Sequence, residues 1–162
     1  MSAWRRIWLI ASSVLLLSAA LPTIVKGQST SRPLPTIRQD NDIREAVIRY
    51  LAKDWAGQEL VFFISVEGKD PSDEFMSRFK DLSNTVKVFS ASKYEDSLIH
   101  DKSTGRPGIV FAVEKVTWVT TKKAELDGSY ECGGLCAGGS RYRITFDGKK
   151  WVVEPGDTIW AS

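Results

Sequence analysis

The run Ala124-Glu125-Leu126-Asp127-Gly128-Ser129-Tyr130-Glu131-Cys132-Gly133-Gly134-Leu135-Cys136-Ala137-Gly138-Gly139-Ser140-Arg141-Tyr142-Arg143-Ile144-Thr145-Phe146 decides the fold. Ala124, Leu126, Gly128 and Tyr130 alternate along one face of a strand, and Tyr142, Ile144 and Phe146 alternate along another. Between them lies a five-residue cysteine loop, Cys132 to Cys136, that contains Gly133, Gly134 and Leu135. Two alternating runs joined this way predict a β-hairpin with the cysteines at its tip. Downstream, Asp147-Gly148 is a strong hairpin turn signal. Trp151-Val152-Val153 then reads as the returning strand, and Thr158-Ile159-Trp160 as a last short pairing. Upstream, Ile109 to Thr121 reads as one further strand. The C-terminal half is therefore expected to be a meander of about four strands.

The first half switches period. Ile43, Ala46, Val47, Tyr50 and Leu51 fall at i, i+3, i+4, i+7 and i+8, which predicts a helix from Ile43 to Trp55. Asp40, Asn41 and Asp42 are its N-cap candidates, with Glu45 completing a capping box, and Gly57 ends it. Arg44, Arg49 and Lys53 mark the face expected to be solvated. Glu59 to Glu67 reads as a strand covered on both faces at its start. Pro71, Asp73 and Glu74 suit the first turn of a short second helix carrying Phe75, Met76, Phe79 and Leu82. Val86 to Phe89 reads as a short strand and Ser90 to Gly108 as irregular. Helices first and hairpins later predict an α+β domain, a curved antiparallel sheet with the N-terminal helices packed on one face.

The N-terminus has the parts of a secretory signal peptide: Arg5 and Arg6, an apolar stretch from Ile7 to Leu21, and small residues at Ser18-Ala19-Ala20 and before Gln28. The apolar stretch is about 15 residues, short of the roughly 20 that span a bilayer. Cleavage after Ala20 or after Gly27 is expected. The organisation is then a signal peptide over 1–27, a Ser/Thr/Pro linker over 28–39 and one α+β domain over 40–162. Residues 1–27 contain three basic residues and no acid, so the remainder holds 19 basic against 20 acidic residues, a net charge near −1. Nucleic-acid binding loses its electrostatic basis. A periplasmic or secreted protein without membrane attachment after signal removal is expected.

The candidate chemistry is sparse. Cys132 and Cys136 are the two cysteines of the chain. Three residues separate them, one more than in a thioredoxin motif, and no helix pattern follows to lower a thiol pKa. Zinc needs about four ligands, and only His100 joins the pair; copper would want more Cys, His or Met. Outside the cytosol, two cysteines this close oxidise, so a structural disulfide is expected, with Gly133, Gly134 and Leu135 as a candidate binding loop at its tip. Asp70, Asp73 and Glu74 lack the pattern of a calcium loop, and Lys102-Ser103-Thr104-Gly105 lacks that of a phosphate loop. Trp118, Tyr142 and Trp151 are candidates to line a pocket on the curved sheet. No metal and no cofactor is expected.

The stretch Gly128 to Gly139, followed by Tyr142 and by Gly148-Lys149-Lys150-Trp151-Val152-Val153, resembles the C-terminal part of small exported bacterial proteins of unknown function. Gly68-Lys69-Asp70-Pro71-Ser72-Asp73-Glu74-Phe75 is similar to another segment of such proteins. The Gly-Lys-Lys-Trp-Val-Val ending also resembles that of many NTF2-like proteins. The order of elements suggests a cystatin-like or NTF2-like roll, which this ending supports; the resemblance is uninformative about activity and offers no catalytic residue to carry over.

Three functions follow as expectations. The first is a non-catalytic binding module for a cell-envelope protein or a small ligand in the sheet concavity. The second is a small enzyme on an NTF2-like cone, for which Asp96, His100 or Tyr142 would supply the acid or base. The third is a thiol–disulfide protein using Cys132 and Cys136.

Overall fold

The protein, seen here as a computed structural model, is described over residues 37–162; the expected signal peptide over 1–27 and the expected linker up to residue 36 lie outside the described residues, whereas residues 37–39, assigned to that linker, are the first turn of a helix. Helix α1 spans Ile37–Ala52 and tightens into a 3-10 turn at Lys53–Trp55. It begins upstream of the expected caps, so Asp40, Asn41 and Asp42 lie within the helix. Asp40 accepts a hydrogen bond from the Trp118 indole (2.7 Å) and Asp42 pairs with Arg78 (2.7 Å). The buried stripe is Ile43, Val47, Ile48, Leu51 and Ala52, one position further round the helix than predicted, with Ala46 and Tyr50 at its margin. The predicted solvated face is occupied as well. Buried Arg44 reaches Asn41 (3.2 Å) and Glu67, while Arg49 pairs with Glu45 (2.8 Å) and Asp81 (2.8 Å).

The strands are β1 (Val61–Val66), β2 (Val86–Val88), β3 (Ser92–Glu95), β4 (Leu98–Asp101), β5 (Gly108–Val113), β6 (Thr117–Thr120), β7 (Lys123–Gly133), β8 (Cys136–Phe146) and β9 (Trp151–Ala161). The short helix α2, Asp73–Met76, lies between β1 and β2 and is capped by the Ser72 hydroxyl, which accepts from the Phe75 N–H (3.3 Å). All nine strands join one sheet. β1 pairs in parallel with both β2 and β5, whereas β5 pairs antiparallel with β7, β7 with β8, and β8 with β9.

The α+β class holds. The expected four-strand antiparallel meander is corrected to a mixed nine-stranded sheet. The predicted strand Ile109 to Thr121 is broken at Glu114-Lys115-Val116 into β5 and β6, which pair with successive halves of the same long β7. The segment expected to be irregular contains the hairpin β3–β4. Its turn, Asp96-Ser97, puts both residues at positive φ (52° and 63°) without glycine. β9 runs unbroken past Pro155, which sits on an edge strand as a residue lacking an N–H must.

The sheet curves round α1, which packs against β5, β7 and β9. Alternation along β1 and β5 divides the apolar residues into two layers. Phe62, Ile64, Ile109, Phe111 and Val113 meet α1, α2 and the inner faces of β7 and β8. Val61, Phe63 and Val110 point the other way and are covered by Ile99 of the β3–β4 hairpin. Phe62 and Phe111 meet edge to face at 5.1 Å. An ionic clamp fixes the 3-10 turn after α2, Ser77–Phe79, to α1: Arg78 joins Asp42 and Glu45 (3.0 Å), and the Arg49 guanidinium lies 5.5 Å from the Phe79 ring centre.

Candidate functional site

The cysteine loop is a hairpin tip. Gly133 pairs with Cys136, leaving Gly134-Leu135 as a two-residue turn, and a bulge between Glu131 and Gly133 sets Cys132 out of register. Cys132 and Cys136 are disulfide-bonded, with Cα atoms 5.3 Å apart. Neither cysteine adjoins a helix N-terminus, the usual source of a reactive thiolate. A second turn supports the loop, since the Gly134 N–H donates to the Ser97 carbonyl (2.9 Å) and Leu98 pairs with Gly133. Gly133 has φ 147°, and a Cβ on it would lie 2.3 Å from the Ser97 carbonyl oxygen, so only glycine fits this crossing. Leu135 stands 91 % exposed at the tip, with half-exposed Tyr94 and Leu98 beside the loop. Glu95, Asp96 and Glu131 are exposed around them, and the one nearby cation on this hairpin, Lys93, is paired with Glu95 (2.6 Å).

The three candidate pocket aromatics separate. Trp118 and Trp151 meet edge to face (5.5 Å), and Phe146 packs on Trp151 (5.1 Å). These last two border a groove of about 480 Å³ between α1 and the β8–β9 turn, shared with Ala46, Arg49, Lys149 and Lys150. Tyr142 is buried elsewhere, against Tyr50 (5.7 Å). It borders a second groove, of about 300 Å³, between the end of α1 and β7–β8, together with Asp54, Trp55, Gln58 and Tyr130. The concave face of the sheet itself is filled by α1.

Asp96, His100 and Tyr142 are not brought together. Asp96 and His100 belong to the β3–β4 hairpin, and Tyr142 to the layer beneath α1 on the opposite side of β5. His100 Nδ1 lies 3.1 Å from the Gly105 carbonyl, which fixes its ring. Burial pushes the Tyr142 hydroxyl above its ordinary pKa, so it stays neutral.

One polar cluster escaped the sequence reading. Asp101 is buried, and its carboxylate accepts from Lys87 Nζ (2.6 Å), the Thr104 hydroxyl (2.8 Å), and the Ser103 hydroxyl and N–H (3.1 Å each). Lys87 Nζ also lies 2.9 Å from the Ser103 hydroxyl. The distances are those of a serine–lysine dyad, but the chemistry is not. The Lys87 ammonium holds the Asp101 carboxyl far below the usual carboxylate range. Lys87 Nζ donates both to this carboxylate and to the Ser103 hydroxyl, and that hydroxyl donates to Asp101, so the amine is not placed to take the serine proton. The cluster closes the 101–105 loop instead, where Gly105 N–H reaches the Asp101 carbonyl (2.8 Å). An aspartate followed at two and three residues by Ser103 and Thr104 was the available signal.

The described residues thus make a mixed α+β sheet round one helix, with a disulfide-locked apolar tip and surface grooves that include two beside α1. No protein family, curated protein or solved structure matches the chain. Among the described residues no group of three or more His, Cys, Asp or Glu is placed to hold a metal, and no helix is long and apolar enough to cross a membrane.

Proposed function

We propose that the protein is exported and acts as a non-catalytic binding module, with the cystine tip as its contact for a cell-envelope protein. The observation that carries this reading is Leu135, 91 % exposed on a turn held from both sides. A large apolar side chain held out in water on a rigid turn loses little freedom when it enters a recess, so little ordering cost offsets the burial. Full burial of a leucine is worth roughly 1.5–3 kcal/mol. Tyr94 and Leu98 extend the apolar surface, and the surrounding Glu95, Asp96 and Glu131 favour a recess with a basic rim. The signal segment supports export, as does the cystine, whose bond persists where the surroundings are oxidising.

A photo-reactive residue at position 98 tests the reading in cells. It should give one discrete adduct that disappears when Leu135→Asp is added and persists when the remote, half-exposed Val119 is changed to aspartate. An adduct indifferent to Leu135→Asp, or none at all, overturns the proposal. Mass spectrometry of the protein from the cell envelope should find the mature N-terminus after Ala20 or Gly27. A chain retaining residues 1–20 would overturn cleavage and export as a free protein.

A further inference from the structure

We propose that the groove between the end of α1 and strands β7–β8 binds an organic cation, a quaternary ammonium group seated among Tyr50, Trp55, Tyr130 and Tyr142 with Asp54 as its counter-charge. This goes beyond the tip contact and uses different residues.

Four rings border one groove of about 300 Å³, large enough for a trimethylammonium head. They form two tilted pairs, Tyr50 with Tyr142 at 62° and Trp55 with Tyr130 at 52°. Tilted rings present π-faces and hydroxyls in several directions, as the walls of a cation site do, whereas a sugar ring stacks on a flat platform. The backbone leaves room for them. A Cβ at Gly128 would lie 3.1 Å from the Tyr142 ring, and one at Gly138 would lie 3.2 Å from that of Tyr130. Both tyrosines are thus seated against bare backbone at the edge of the groove.

Charge decides the ligand class. Asp54 borders the groove, is exposed, and among the described residues makes no hydrogen bond or ion pair, while its charge is felt at the Tyr142 hydroxyl. One ring of the cluster already attracts a cation: Lys53 Nζ, which does not line the groove, lies 4.6 Å from the Tyr50 ring centre. A compact ammonium such as that of lysine is strongly hydrated and gains little from leaving water. A quaternary ammonium carries the same charge with a loosely held hydration shell, so aromatic walls compete well for it. One carboxylate is too few for a metal ion.

The test is titration with choline, followed through the indole N–H of Trp55 and the Tyr130 and Tyr142 resonances by NMR. The neutral isostere 3,3-dimethyl-1-butanol is the control. Choline should saturate these signals, and the isostere should bind at least ~10-fold more weakly, the factor expected for a cation–π contact. Asp54→Asn should weaken choline about threefold or more, and Lys53→Gln, which removes the competing cation, should strengthen it. Both positions are exposed, so the fold is retained, and thermal melts of the variants check this. Phosphatidylcholine vesicles, compared with phosphatidylglycerol vesicles, tell a lipid head group from a free solute. Sedimentation with the former indicates the head group, and binding of free choline alone indicates the solute. Equal binding of choline and its isostere, no saturation at millimolar choline, or weaker binding in Lys53→Gln overturns the proposal. Leu135→Asp should leave the choline titration unchanged, which keeps this outcome separate from that of the tip.

Discussion

Reducing the Cys132–Cys136 bond should destabilise the domain by about 2 kcal/mol while leaving its fold intact. The bridge closes a loop of five residues, counting both cysteines. The loop-closure relation gives an entropy of about 7 cal/mol/K for a loop that short, or roughly 2 kcal/mol at 25 °C. The native state should change little, because the Gly134 N–H still reaches the Ser97 carbonyl and β7 still pairs with β8 along its length. Urea unfolding with and without a phosphine reductant measures the difference, which corresponds to a shift of roughly 6–10 °C in Tm for a domain of this size. Hydrogen exchange should quicken at Gly134 and its immediate neighbours and nowhere in β1 or β5. A loss below about 0.5 kcal/mol would mean that the unfolded chain retains the turn without the bond. A loss above about 4 kcal/mol, or quickened exchange in β5, would show that the cystine supports the core directly, and would refute the entropic account.

Phe111→Ala should cost about 3–5 kcal/mol in the same urea assay, since its fully buried ring meets Phe62 edge to face. Two glycine substitutions should differ in the same assay. Gly108→Ala places a Cβ 2.6 Å from the Val61 carbonyl oxygen and 2.4 Å from the buried Phe63 ring and should cost about 2 kcal/mol or more, whereas at Gly139 the obstacle is the half-exposed Trp160, which can swing away, so the cost should stay below about 1 kcal/mol. Asp101 has a folded-state pKa far below its ordinary 3.8, because Lys87, Thr104 and Ser103 donate to the carboxylate. Its contribution is therefore complete above about pH 5 and is lost as pH falls below 4, and Asp101→Asn should make chemical-denaturation stability less steep over that acid range while lowering it at pH 7.

The parts of the fold that were legible in the sequence are those whose signals are local. Ala124, Leu126, Tyr142 and Ile144 alternate because each strand of β7–β8 buries one face, and Cys132 and Cys136 meet because the turn between them is two residues long. The parallel pairing of β1 with β2 and β5 left no such mark, since their partners are set by tertiary packing. The β3–β4 hairpin was hidden because Asp96 and Ser97 take up positive φ without the expected glycine or asparagine. In α1 the apolar period was read correctly, but Ile48 is buried and Ala46 and Tyr50 are marginal. The sheet curves round the helix and presses on a wider arc than a single stripe. Of the candidate sites, the cystine was legible from the spacing of Cys132 and Cys136 taken together with the secretory pattern of the N-terminus. The groove at Asp54 was not, because its rings come from α1, the turn after it, β7 and β8.

The glycines explain why the tip and the groove share one hairpin. In β7–β8 they are confined to the half nearest the cystine: Gly128, Gly133, Gly134, Gly138 and Gly139. Bare backbone there seats the Tyr142 ring against Gly128, Tyr130 against Gly138, Trp160 against Gly139, and the Ser97 turn against Gly133. The distal half, where Leu126, Tyr142 and Ile144 fill the core, has no glycine from Arg141 to Phe146. A glycine-rich strand loses more chain entropy on folding, by roughly 0.5–1 kcal/mol per residue relative to alanine. Four of the five, Gly128, Gly133, Gly138 and Gly139, lie within the strands, a cost of roughly 2–4 kcal/mol in all. The cystine acts on the same unfolded-state entropy, at the end of the hairpin where the glycines lie. The disulfide is therefore best understood as what permits bare backbone at this end, and bare backbone as what lets aromatic side chains gather beside it.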